Sequence, residues 1–359
     1  MGKTKFIKFL SGITILIFIL MLAFLLAGCA KEEGEAPTST AEKKTAERIN
    51  LRCAGTLPIN YHVTKAVEMF KKQVEENTNG QVTIEFYPAQ QLYNDKDLVN
   101  VLPKGAVDMA QVAFGMWSSL VPEVGFLGSC LLFKDLNHYI RVQDDQEALA
   151  ILGEALKNKA NTKLLCWLEY GGGGTVLSKQ PIKNLEDFKG KRIRSFSEWS
   201  SYFLKGVGAA PVLLSSGEVY AALQRGTVDG ALTGPSGVID RKWHEVAKYL
   251  VNTYLLADGG FALVINIDSW NRIPKNNQDI ILKAAQDTQK WCREVGTPLF
   301  SDTIKKIEAM PDMHVINVSN EEVERWRQVA LPPQKEAYLK QTGATGQKLL
   351  DRVDALRDK

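Results

Sequence analysis

FKGKRIRSFSEWSSYFLKGVGAAPVLLSSGEVYAALQRGTVDGALTGP, residues 188–235, decides the fold. Its residue types alternate between strand and helix signals. A basic strand over Lys191–Arg194 is followed by a short helix over Trp199–Lys205. Gly208 and Pro211 punctuate the return, and a second helix over Gly217–Arg225 stops at Gly226 before a strand over Val228–Ala231. Ser215-Ser216-Gly217-Glu218 has the capping-box form, in which hydroxyl and carboxylate satisfy the first free N–H groups of a helix. Strand–helix alternation of this kind implies a parallel sheet with crossover helices. Ligands of such sheets sit outside the carboxyl ends of the strands. Arg194 stands at such an end and is the expected holder of an anionic group.

The flanking sequence extends the pattern. A strand over Ile49–Gly55, a helix over Val63–Asn77, a strand over Val82–Tyr87, a helix over Asp95–Leu102 and a strand over Met109–Val112 read as βαβαβ. Further on, Leu136–Asn161 reads as mostly helical and Lys163–Tyr170 as an apolar strand, before the glycine run Gly171–Gly174 and a short strand over Thr175–Ser178. Beyond the opening stretch, helix is expected over Arg241–Val251, strand over Ala262–Asn266, and a long helix over Asn276–Glu294 that could brace two lobes. A second capping box at Ser319–Glu322 opens a helix expected to end at Leu331, before Pro332-Pro333.

The first 29 residues contain Lys3, Lys5 and Lys8 and no acid, then an uncharged apolar run that ends in Leu26-Ala27-Gly28-Cys29. This looks like a bacterial lipobox, with residues 1–28 a signal peptide and Cys29 the lipidated first residue. The alternative is an uncleaved transmembrane anchor. Either places the rest outside the cytoplasmic membrane. Residues 29–47 are polar and lack an apolar period, as in a flexible tether. The chain after the leader is balanced at 41 basic and 41 acidic residues, which gives no reason to expect a nucleic-acid partner. Four further cysteines, Cys53, Cys130, Cys166 and Cys292, could form two disulfides or be buried thiols; Cys53 and Cys166 sit in apolar runs and favour thiols.

Enzyme motifs are incomplete. No Gly-Lys-Ser/Thr follows the glycine run, so it is no P-loop and reads as a lobe-crossing hinge. His244-Glu245 lacks the second histidine of a zinc protease, with Lys248 in its place. Ser236 lies in Gly-Pro-Ser-Gly, not in a nucleophile elbow. Trp243, Trp270 and Tyr220 read as core. No catalytic residue, metal or cofactor is expected.

Six segments, GQVTIEFYPAQQL (80–92), KGAVDMAQV (104–112), LSKQPIKNLEDFKGKRIR (177–194), GEVYAALQRGTVDG (217–230), EVAKYL (245–250) and ALVINIDSWNRIP (262–274), come in an order that resembles the solute receptors of tripartite ATP-independent periplasmic (TRAP) transporters, the DctP type. The resemblance covers Ile49 to Trp326. It implies an α/β, two-lobed, type II periplasmic-binding-protein-like fold with a hinge and a cleft. Residues 48–170 plus 261–300 would form one lobe, and 171–260 plus 301–359 the other. It also implies capture of a small organic acid for a membrane permease, without chemistry on the ligand. The alternative is a sensing lipoprotein that reports to a membrane signalling partner.

In the family the arginine of the K-x-R strand pairs with the ligand carboxylate; here that is Arg194. A planar guanidinium matches a carboxylate bidentately. Many members carry a second arginine at a position that aligns with Gly173, and an asparagine where Thr233 stands. Aromatic residues occupy expected cleft positions: Trp117, Tyr170, Phe196, Trp199 and Phe261, with Tyr61 and His62 on the first loop. One arginine with an apolar, aromatic lining points to a monocarboxylate with an apolar or aromatic tail.

Overall fold

A computed structural model describes residues 48–171, 173–253 and 260–359; the leader, the tether and Cys29 lie outside the described residues. The chain opens with β1 (Ile49–Gly55), α1 (His62–Asn77), β2 (Val82–Tyr87), α2 (Asp95–Val101) and β3 (Met109–Ala113). Helices α3 (Leu136–Gln143) and α4 (Gln146–Ala160) lead to β4 (Thr162–Leu168). The chain then crosses into β5 (Thr175–Ser178), β6 (Arg192–Ser195), α5 (Glu198–Gly206), β7 (Ala210–Leu213), α6 (Val219–Arg225), β8 (Gly230–Thr233), α7 (Pro235–Asp240) and β9 (Tyr249–Asn252). It returns through β10 (Phe261–Asn266), α8 (Ile267–Asn271) and α9 (Lys275–Gly296). It crosses again into α10 (Leu299–Glu308) and β11 (His314–Asn317), and closes with α11 (Asn320–Ala355).

Two mixed sheets result. One runs β2-β1-β3-β10-β4, the other β11-β9-β5-β8-β6-β7. In the second, β6 is parallel to β7 and β8, with Arg194 opposite Val212 and Ala231. Thr233 ends β8, so Arg194 and Thr233 share one sheet edge, at the carboxyl ends of neighbouring strands. The Ser215 box forms as the spacing predicts. At Ser319 only half of the predicted box forms: the hydroxyl accepts from Glu322 N at 3.2 Å, while the Glu322 carboxylate turns to Leu185 N and Trp326 Nε1. A box not foreseen closes at Ser197. Ser215 N and Oγ donate to Glu218 Oε2 at 2.8 and 2.7 Å, while Ser197 Oγ accepts from Ser200 N at 3.1 Å. Gly226 takes φ 71° and ends α6, a conformation that costs glycine least. All four cysteines among the described residues are buried, Cys53, Cys166 and Cys292 as free thiols.

Three expectations need correction. The stretch over Arg241–Val251 is not one helix. Lys242 adopts φ 58° after α7, and Tyr249–Asn252 becomes a strand between β11 and β5. Pairing on both sides overrides the helix-like spacing of its apolar residues.

The helix opened by Ser319 does not stop at Leu331 but runs through Pro332 and Pro333 to a break at Gly343 (φ 57°, ψ −136°), after which the helical tail expected from the sequence continues to Ala355. Pro332 and Pro333 are exposed, as are Gln328 and Val329 one turn earlier, so the lost N–H donors fall on the solvent side of the helix. The buried stripe of Trp326, Ala330, Gln334 and Tyr338 stays continuous.

The brace is also a different helix. α9 packs on α1 and β4 of the first sheet, whereas α11 grips both halves. Trp326 meets Phe188 edge-on at 5.1 Å on the second-sheet side. Gln334 bonds both the N–H and C=O of Cys130, at 3.0 and 3.2 Å, in the segment between β3 and β4.

Candidate functional site

Between the two sheets lies a small cavity, with ≈ 50 Å³ of space for water centres. At about 10–15 Å³ per water centre, that volume suits a few waters or a compact ligand. Arg194 lines it and is 4% exposed. Nε donates to the Leu214 carbonyl at 3.0 Å and Nη1 to the Leu232 carbonyl at 2.8 Å. Nη2 has no partner among the described residues. Burial holds the guanidinium below its usual range, at about 10, and the nearby Asp95 carboxylate partly offsets this. The group therefore stays charged at neutral pH. Arg192, two residues earlier, faces outward and is paired with Asp229 through Nη2 at 2.8 Å.

Arg194, Thr233, Phe196, Tyr170 and Phe261 all line the cavity. Phe196 lies under the guanidinium, 5.6 Å from Cζ to the ring centre. Tyr170 and Phe261 are in contact, with centroids 5.1 Å apart. Tyr170 also lies against Gly234, where an added Cβ would meet the ring at 2.6 Å. Gly173 is outside the lining, its carbonyl 3.8 Å from where that Cβ would stand.

Trp117 and Trp199 do not reach the cavity. Both are fully buried elsewhere. Trp199 packs edge-on against Tyr338 of α11 at 5.3 Å and fills the space above Gly125, whose added Cβ would come within 1.7 Å of its Nε1. His62 is also outside the lining. Its Nε2 lies 2.6 Å from the Glu169 carbonyl, on the strand that leads to the crossing, and burial lowers its pKa.

The sequence reading missed three cavity residues that matter. Arg241 follows α7, and its Cζ lies 5.9 Å from the Tyr61 ring centre. Its Nη2 is buried without a partner among the described residues. Assigning residues 241–251 to a helix hid the turn that aims it inward. Trp243, read as core, also lines the cavity. Asp95, the first residue of α2, enters from the first-sheet side beside Ser216 of the second. Its place at the start of the helix after β2 was the available signal, because crevices form at strand carboxyl ends.

Two α/β halves with a buried guanidinium and aromatic rings enclosed between them define a cleft-type binding protein. The chain belongs to the DctP family, bacterial extracellular solute-binding protein family 7, whose model matches residues 53–341. It is similar to the uncharacterized protein YiiZ of Salmonella typhimurium, at 33% identity over 188 residues, spanning 52% of this chain and only 57% of that relative. It is 28% identical over 276 residues to the C4-dicarboxylate-binding periplasmic protein DctP of Rhodobacter capsulatus, spanning 75% of this chain and 80% of the other. Its fold matches the crystal structure of a TRAP periplasmic solute binding protein from Desulfovibrio salexigens with bound orotic acid. The TM-score is 0.80 at 23% identity, covering 86% of this chain and 99% of that one. The protein is thus a TRAP-type solute-binding protein with the two-lobed fold of that class.

Proposed function

We propose that the protein captures a small monoanionic organic acid outside the cytoplasmic membrane and passes it to a membrane permease. The observation that carries this reading is Arg194, buried and charged with no ion-pair partner among the described residues. A buried charge that the nearby Asp95 carboxylate only partly offsets is costly, which supports a site that receives an anion. Two of its donors are held by backbone carbonyls, which leaves Nη2 for the ligand. Phe196, Tyr170 and Phe261 supply flat apolar walls, which favour a carboxylate with an apolar or aromatic body. Arg241 adds a second guanidinium, from a different element than the position aligned with Gly173. Cys29 would carry the lipid that holds the receptor at the membrane.

Ligand capture by shape and charge is consistent with the related proteins named for a C4-dicarboxylate and found with orotic acid. Thermal-shift screening against monocarboxylates, dicarboxylates and sugar acids tests the reading. Compact monocarboxylates with ring or apolar bodies should give the largest stabilisation, because a ligand bound only by the folded state raises its melting temperature. Stabilisation by dicarboxylates or sugars alone would overturn it. Mass spectrometry on tryptic Cys29 peptides from membranes should find a lipid adduct.

A further inference from the structure

We infer that Asp95 reads a hydrogen-bond donor on the ligand, so that the receptor selects acids bearing an N–H or O–H group over isosteres that lack one. The inference rests on the proposed capture of an organic acid and narrows it.

Asp95 is 5% exposed and lines the cavity with Arg194 and Arg241. Its two oxygens differ. Oδ2 accepts from Ser216 Oγ at 2.9 Å and from Ser216 N at 3.3 Å, across the cleft, and lies 3.5 Å from Gln90 Nε2. Oδ1 is buried and has no partner among the described residues. The helix it opens cannot supply one. The N–H groups of Lys96 and Asp97 donate to Asn94 Oδ1 at 2.9 and 3.0 Å, and Leu98 N to the Asn94 carbonyl at 3.2 Å. Neither guanidinium is paired with it: Arg194 is held by Leu214 and Leu232, and Arg241 lies over Tyr61. A buried carboxylate oxygen left without a donor is unfavourable, and a ligand N–H or O–H would relieve it.

The charge balance agrees. Two guanidiniums and one carboxylate leave the cavity at a formal +1, which one ligand carboxylate neutralises. The donor presented to Asp95 therefore belongs to an acid whose net charge is −1. A site built to hydrogen-bond a ligand N–H or O–H discriminates strongly against the analogue without it, because the site's polar group is left unpaired.

Two matched pairs test this by isothermal titration: pyrrole-2-carboxylate against furan-2-carboxylate, and mandelate against phenylacetate. Each pair keeps the carboxylate and body and differs in the donor. The wild type should prefer the donor-bearing member by about tenfold or more, as expected for a hydrogen bond to a charged group. Asp95→Ala should bring the ratio to within about twofold, whereas Ser216→Ala, which removes the hydroxyl bonds to Asp95 Oδ2 and Gln90 but leaves Oδ1 untouched, should weaken both members alike and keep the ratio. Asp95→Asn, which preserves shape, substitutes if the alanine variant fails to fold, and should lose or reverse the preference. Equal binding of both members by the wild type, an unchanged ratio in the Asp95 variants, or loss of the ratio in Ser216→Ala would each overturn the inference while leaving organic-acid capture intact. Failure of the wild type to bind any acid would remove both.

Discussion

Arg194 donates through Nη1 to the carbonyl of Leu232, one residue before Thr233, at 2.8 Å. With the Leu214 carbonyl on Nε, this bond fixes the plane of the guanidinium before any ligand arrives. Preorganised side chains spare the ordering cost that binding otherwise carries. Arg194→Ala should therefore weaken binding of the identified acid by about 2–5 kcal/mol, the range for one partner of a buried charge pair. Arg194→Lys should lose nearly as much, because an ammonium cannot make both carbonyl bonds and still face the ligand. Titration calorimetry decides; a loss of only a few-fold in either variant would contradict the clamp.

Gly125 and Trp199 give a prediction about stability alone. The indole is fully buried and held by Tyr338 and Tyr202, so it cannot yield to a Cβ that would approach within 1.7 Å. Gly125→Ala should destabilise by at least the upper part of the about 1–3 kcal/mol range of overpacking. A melting temperature within a degree of wild type would show that the space relaxes.

Gln334 holds both backbone groups of buried Cys130. Gln334→Leu removes both hydrogen bonds to the Cys130 backbone, a loss of about 1–3 kcal/mol in stability. Urea unfolding should show the loss with little change in m, and ligand affinity should fall less than stability.

His62 yields a pH prediction. Burial lowers its pKa, so the folded state favours the neutral ring. The associated stability is present above the unfolded value of about 6.5 and is lost as pH falls through the folded value. Wild type should lose stability as pH falls below that unfolded value, and His62→Gln should flatten this slope. The slope should not vanish, because burial also lowers the pKa of His138. An identical slope in the variant would exclude His62.

The parts of the fold legible in the sequence are those with local causes. The Ser215–Glu218 box, Gly226 and the strand carrying Arg194 are set by neighbours within a few positions. Thr233 came from the family resemblance, since the strand read from local alternation stops at Ala231. Trp199 and Trp117 were misplaced because strand-end position says nothing of side-chain direction. Trp199 turns away because Gly125, far off in sequence, leaves room for it. Arg241 was hidden by an apolar spacing that fits a helix until the sheet claims residues 249–252. Asp95 meets Ser216 only across the cleft, and no local pattern encodes that. The passage of α11 through two prolines depends on which side faces water.

The grip of α11 on both halves has a mechanical consequence. Phe188 on one side and Cys130 on the other are fastened to one rod within a few turns. The halves cannot slide apart along that seam without tearing buried hydrogen bonds. Rotation about the rod is the motion left, and it would have to release the contacts of Asp95 and Gln90 with Ser216 and of Lys96 with Glu218. The helix thus acts as the pin of a clasp, with both fastening points ahead of the break at Gly343.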